Sequence, residues 1–143
     1  MNMKKYEQLN LENQLCFPLY AASREIIKQY HPYLSELGLT YTQYIAMMVL
    51  WQEKEISVKD LGKKLYLDSG TLTPVLKSLE TKKYVNRHRS LKDERVLLVT
   101  ITQDGEKLKE QASSIPEKIS ACVPLEPNEA VQLYQLLYKI LDK

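Results

Sequence analysis

Between Ser57 and Ile101 the spacing of the apolar residues changes period, and this change restricts the fold more than any other feature of the chain. Ser57 can cap a helix, with Asp60 at the capping-box position, and Val58, Leu61 and Leu65 then share one helical face. Asp68-Ser69-Gly70 interrupts the pattern. Leu72, Val75, Leu76 and Leu79 resume it at helical spacing, which predicts a second helix starting at about Ser69–Thr71. Pro74 is expected in its first turn, where proline is tolerated, and Lys82 and Lys83 at its C-terminal end, where cations favour the helix dipole. Tyr84–Arg89 and Val96–Ile101 read as two short strands joined by a charged turn, Ser90 to Glu94. Helix, turn, helix and β-hairpin, in that order, make a winged helix-turn-helix.

The flanks are helical. Leu15, Leu19, Ala22, Ile26 and Tyr30 recur at helical spacing in a segment running from Leu11 to about Leu37. Pro18 either marks the start of this helix near Phe17 or kinks a helix that begins earlier. His31-Pro32 is expected to break it a second time, and Gly38 to close it. Thr40 can cap a strongly apolar helix from Tyr41 to Gln52. After the hairpin, Thr102 can cap a run carrying Leu108, Ala112, Ile115 and Ile119, with Pro116 inside it. Pro127 falls near the first turn of a last helix that aligns Ala130, Leu133, Leu137, Ile140 and Leu141. The expectation is a mainly α chain with a small β-hairpin wing: one domain over 1–143, with the winged helix-turn-helix at about 51–102. The terminal stripes, about 11–38 and 103–143, have no home on a core of that size and are expected to meet each other or a second copy, building a homodimer.

Composition narrows the function. The chain's 143 residues amount to about one domain. No apolar run approaches the roughly 20 residues that span a bilayer, and the N-terminus lacks the apolar region of a signal peptide, so a cytoplasmic protein that does not enter a membrane is expected. Four glycines argue against glycine-rich phosphate loops. Cys16 and Cys122 are too few for a disulfide framework, and with His31 and His88 they form no recognisable zinc spacing, so no metal or cofactor is expected. Net charge is only +2, but residues 56–102 hold ten Lys/Arg against five Asp/Glu, whereas the rest of the chain holds ten against thirteen. A basic middle between acidic ends suits a module that binds a polyanion.

Two groups of residues are candidates for contacting DNA. Ser69, Thr71, Thr73 and Lys77 fall on the exposed N-terminal part of the second central helix, where backbone N–H groups and the dipole also favour phosphate. Taken singly they better describe a capped, solvated helix end; the charged hairpin that follows tips the reading toward DNA. Arg87, His88, Arg89, Lys92 and Arg95 cluster around the hairpin turn, and Asp93 is spaced to brace the Arg95 guanidinium. A basic β-turn fits a minor groove about 6 Å wide, where Arg is favoured.

Asp93-Glu94-Arg95 followed by VLLVTIT resembles the wing signature of the MarR (multiple antibiotic resistance regulator) family of winged-helix repressors. LENQLCFPLYAASREIIKQY, LGLTYTQYIAMMVLW and LYLDSGTLTPVLKSLE resemble its organic hydroperoxide resistance regulator (OhrR) group, and with the wing the likeness covers most of the chain. The resemblance implies that Cys16 is a peroxide-sensing thiol, hydrogen-bonded by Tyr30 and Tyr41, with Tyr20 approaching from the partner chain. Phenolic donors suit a thiolate nucleophile, and Leu15, Phe17, Met47 and Met48 suit an alkyl tail, although such residues serve a core equally well. If Pro18 starts the first helix, Cys16 lies at a helix N-terminus, which also favours thiolate.

Within the group, Cys122 matches a second cysteine that resolves the sulfenic acid through an intersubunit disulfide; otherwise it is a small buried hydrophobe. The reading is a homodimeric repressor that holds a pseudo-palindromic double-stranded DNA operator when reduced and releases it when an organic hydroperoxide oxidises Cys16 and the partner's Cys122 condenses with it. Alternatives are a regulator switched by mixed disulfide or by a phenolic ligand, with Cys122 structural, and a thiol peroxidase. The last lacks the thioredoxin-like βαβ context, so a non-enzyme is expected.

Overall fold

A computed structural model describes residues 5–142. Seven α-helices and three short strands follow in the order α1 (Cys16–Glu36), α2 (Tyr41–Glu53), β1 (Glu55–Ser57), α3 (Val58–Leu65), α4 (Ser69–Thr81), β2 (Val85–Arg89), β3 (Leu97–Ile101), α5 (Gln103–Ala112), α6 (Ile115–Ser120) and α7 (Pro127–Leu141). Two 3-10 turns, Glu7–Leu9 and Leu11–Asn13, precede α1, so the helix starts at Cys16 rather than at Leu11. The fold is mainly α with a winged helix-turn-helix at its centre.

Local chemistry explains most helix starts. The Thr40 hydroxyl accepts from Gln43 N–H while the Gln43 side chain accepts from Thr40 N–H, a reciprocal cap on α2. Ser57 caps α3 through Asp60 N–H, Asp68 caps α4 through Thr71 N–H, and Thr102 caps α5 through Gly105 N–H. Tyr66 ends α3 in the left-handed conformation. The apolar faces of α2, α3 and α4 then close on Met47, Leu50, Leu61, Leu72, Leu76 and Leu79, all fully buried, with Val85 and Val99 from the sheet. Gly105 is required by a close approach: any Cβ there would run into the Tyr84 carbonyl oxygen, and its own carbonyl accepts from Trp51 Nε1 at 2.8 Å.

Three expectations change. Pro32 does not break α1, which runs on to Glu36. The carbonyl that loses its partner is that of Lys28, on an exposed face open to solvent, while Leu34 and Leu37 hold the far side of the turn in the core. Pro18, by contrast, follows the first of its two readings: it lies in the first turn of a helix that starts at Cys16, one residue before Phe17, and Cys16 is at the helix N-terminus. Pro74 falls in the second turn of α4 rather than the first, leaving unpaired the carbonyl of exposed Gly70. The run after Thr102 is two helices, parted at Ser113–Ser114, with Pro116 at the start of the second.

The hairpin is one strand wider than its sequence suggests. β1 pairs antiparallel with β3, Ile56 opposite Val99, and β2 pairs with its other edge, Arg87 opposite Val99, giving the order β1-β3-β2. A three-residue strand is too short for an alternating pattern to announce it. Helix α2 packs on α3 and α4 and crosses position 51, so the helix-turn-helix head draws on residues before that expected boundary.

Candidate functional site

The N-terminal part of α4, α3 and the base of the wing enclose one open cleft, lined in part by Ser69, Thr73 and Arg95. Ser69, Thr73 and Lys77 follow one another at successive turns of α4, and all are exposed, as is Thr71. The Thr73 hydroxyl donates to Ser69 O at 2.7 Å, which orients its lone pairs outward. Lys59 and Lys63, on the outer face of α3, line the same cleft and were not singled out from sequence. Their signal was available, since they alternate with the buried face of a short amphipathic helix. The Asp68 carboxyl also lines the cleft, held below its usual range by Thr71, first through its backbone N–H.

On the wing, Arg95 Nε and Nη2 donate to the two Asp93 carboxylate oxygens at 3.0 and 3.1 Å, the bidentate brace the spacing predicts. The Arg95 side chain is nonetheless 90% exposed. Arg89 and Lys92 are exposed beside it. Arg87 differs: its Nη2 and Nε donate to Glu80 Oε1 at 3.0 and 3.3 Å, and its backbone N–H donates to Glu80 Oε2 at 3.1 Å. These bonds, the backbone N–H first, hold the Glu80 carboxyl below its usual range. Arg87 therefore ties β2 to α4, with its charge paired inside the chain. Arg87→Ala is expected to lower the thermal midpoint while Arg89→Ala leaves it unchanged, as a calorimetric scan of each variant checks. Equal midpoints return Arg87 to the free charges of the wing.

Cys16 is the first residue of α1 and is exposed. Tyr20 follows one turn later on the same face, and Arg24 one turn after that, its Nη1 donating to the Tyr20 hydroxyl at 3.3 Å. Tyr30 is fourteen residues along the same helix, about 21 Å from Cys16 at the α-helical rise. Within one chain, therefore, Tyr20 is the tyrosine beside Cys16, and Tyr30, with Tyr41 against it, is too far along the helix to reach that thiol. Tyr30 and Tyr41 instead meet each other edge to face, ring centroids 5.0 Å apart. Burial raises both phenols above their usual range, and for Tyr30 the proximity of Tyr41 adds to it, so both stay neutral donors at physiological pH.

Cys122 is exposed too, in the turn after α6, so it is not a buried hydrophobe of this chain. Helix α6 packs on the distal part of α1, where Lys118 Nζ lies 5.1 Å from the Tyr33 ring centroid. Cys122, one turn beyond Lys118, thus shares an end of the helix with Tyr30 and Tyr41 and lies opposite Cys16. Around these ends the surface is apolar: Leu15 is 85% exposed, Phe17 and Leu19 are exposed with it, and α7 buries no residue at all within the chain. Among the described residues no group of three or more His, Cys, Asp or Glu is arranged to hold a metal, and no helix is long and apolar enough to cross a membrane.

Residues 28–112 match the model of the family described as transcriptional regulator SarA/Rot. Along 138 residues, 96% of this chain and 94% of the relative, the sequence is 47% identical to the organic hydroperoxide resistance transcriptional regulator of Bacillus subtilis. The fold resembles that of AbfR of Staphylococcus epidermidis. Reduced AbfR bound to DNA superposes with a TM-score of 0.76 at 38% identity, covering 96% of each chain. AbfR with its disulfide formed superposes at 0.67 and 37% identity, covering 99% of this chain and 97% of the other.

Proposed function

This chain belongs to the MarR-type winged-helix transcriptional regulators, in their organic hydroperoxide resistance group, and from that premise we propose that it is a homodimeric repressor whose hold on DNA is released by oxidation of Cys16. The reading takes the polar face of α4 into the major groove of a double-stranded, pseudo-palindromic operator, with Ser69, Thr71, Thr73 and Lys77 against bases and phosphates. Arg95, braced by Asp93 and flanked by Arg89, enters the adjacent minor groove, and Arg87 holds the wing to α4. The dimer forms on the apolar faces of α1 and α7 that the single chain leaves uncovered.

The observation that carries the redox part is that α1, 21 residues long, has Cys16 at its start and, on its distal half, Tyr30 with Tyr41 against it and the α6 segment that leads to Cys122. If two α1 helices meet antiparallel across a two-fold axis, each Cys16 receives the partner's Tyr30, Tyr41 and Cys122 while keeping Tyr20 of its own chain. The thiolate sulfur attacks one oxygen of an organic hydroperoxide. The O–O bond breaks, the alkoxide takes up a proton and leaves as an alcohol, and Cys16 becomes a sulfenic acid. The thiolate of the partner's Cys122 then attacks that sulfur, forming an S–S bond and releasing hydroxide, which is protonated to water. The peroxide gains the two electrons that the two thiols lose.

The bond draws opposite ends of two α1 helices together, and the attached heads change spacing on the DNA. No turnover is implied, since each Cys16 is oxidised once per reduction. Cys16→Ser is expected to bind a duplex enriched from a random pool by the reduced protein as tightly as wild type, and to keep it when cumene hydroperoxide is added. An electrophoretic mobility shift with and without peroxide reads this. Peroxide-driven release by Cys16→Ser, or retention by an oxidised wild type, sinks the reading.

A further inference from the structure

Gln43 is the one buried polar side chain among the described residues, 6% exposed within an otherwise apolar core. Both polar ends of its amide are engaged. The nitrogen donates to Ser78 Oγ at 2.9 Å, and the oxygen accepts from Thr40 N–H at 3.1 Å and from Lys82 Nζ at 2.9 Å. Lys82 Nζ also donates to the Gly38 carbonyl oxygen. Gly38 and Thr40 lie in the corner between α1 and α2, whereas Ser78 is on α4 and Lys82 caps its C-terminus. One amide therefore joins the α1–α2 corner to the recognition helix, over 35 and 39 positions of sequence. Tyr41, edge to face with Tyr30, is two residues from it on α2.

An apolar side chain of this size would fill the same space. What the amide adds is direction. Contacts among Leu72, Leu76, Leu79 and α2 let two helices slide by small amounts at little cost, but a buried donor and acceptor lose their partners as soon as the helices shift. Such a linkage has made and unmade states rather than a continuum, which is what a small displacement needs if it is to become a change of position elsewhere. We propose that Gln43, with Ser78 and Lys82, is the joint through which the Tyr30–Tyr41 end of α1 and α2 sets the position of α4, so that the state of the thiol reaches the DNA. This rests on the redox reading above. The three are positioning residues, touching neither the thiol nor the operator.

Three variants test it. Gln43→Met keeps the length of the side chain and removes both polar ends. Lys82→Met opens the joint from the surface, without disturbing the core, and covers the case in which Gln43→Met fails to fold. Gln43→Glu keeps acceptors for Thr40 N–H and Lys82, and the Ser78 hydroxyl reverses to donate. For each, the dissociation constant of the enriched duplex is measured before and after cumene hydroperoxide, with free thiols counted in parallel.

A coupling of ordinary allosteric size changes affinity about 5–150-fold. The ratio of oxidised to reduced dissociation constants is expected to fall about fivefold or more in both Met variants and to stay near wild type in Gln43→Glu, with thiol loss the same in all. An amide that only supports the fold would lower the thermal midpoint and leave the ratio unmoved. An unmoved ratio in the folded Met variants overturns the joint. A wild type that loses thiols and keeps its DNA affinity overturns the redox reading itself, and the joint with it.

Discussion

Arg95→Ala is expected to weaken binding of the enriched duplex roughly 5–150-fold, the span of one well-placed guanidinium contact, with the thermal midpoint and the dimer unchanged. The side chain is 90% exposed and, among the described residues, hydrogen-bonds to Asp93 alone, so its removal is expected to cost the fold little. What is lost is a cation already oriented: the two bonds it donates to Asp93 fix the plane of the guanidinium before DNA arrives, so less side-chain freedom remains to be lost on binding. Arg95→Lys keeps the charge but not the fork, and is expected to recover only part of the affinity. The Asp93 carboxyl is held below its usual range by the Arg95 side chain first and its backbone N–H second. A depressed carboxyl is ionised above its unfolded value and loses its pairing only as pH falls through the lower folded value. The loss caused by Arg95→Ala is therefore expected to be the same at pH 6 and pH 8. Fluorescence anisotropy at both pH values reads all three results, and wild-type affinity in Arg95→Ala removes the wing tip from the interface.

The parts of this fold that are legible in the sequence are those decided within a few residues. Thr40, Ser57 and Thr102 cap the helices they precede, because a cap is a bond from one side chain to a backbone N–H three residues on. The Asp93–Arg95 brace spans two positions and is legible for the same reason. Pro32 was misleading because the cost of a helical proline depends on where the orphaned carbonyl points, and in α1 it points to solvent. Gln43 gave no signal at all: its partners are 35 and 39 residues away, and a glutamine in an apolar helix looks like an exception until they are in place. Arg87 and Arg95 look alike in the sequence, yet Glu80 on α4 makes one a tie within the fold and leaves the other free.

The proposed thiol site is legible as a set of residues and not as an arrangement. Which chain lends which tyrosine depends on the length of α1, since an unbroken helix sets Cys16 and Tyr30 about 21 Å apart. The raised phenols of Tyr30 and Tyr41 remain donors on either side of neutrality, so under the proposed mechanism their removal is expected to change the rate of oxidation rather than its pH dependence.

Cys122→Ser is expected to abolish every covalent dimer formed under peroxide and to make the loss of DNA binding irreversible. A disulfide needs Cα atoms roughly 4.4–6.8 Å apart. Within one chain Cys16 begins α1, while Cys122 follows a helix packed beside Tyr33, about 25 Å farther along at the helical rise. The bond can therefore form only between two chains, and wild type treated with cumene hydroperoxide should run at double mass on a non-reducing gel and return to single mass with dithiothreitol. Without Cys122 the sulfenic acid has no thiol to condense with. Excess peroxide then carries it to the sulfinic and sulfonic states, which dithiothreitol does not reverse. Mass spectrometry of the Cys16 peptide distinguishes these products by successive additions of oxygen. A wild type that stays at single mass while releasing DNA assigns Cys122 no part in the switch. If a small thiol added in that case makes release reversible, the switch is a mixed disulfide on Cys16 alone.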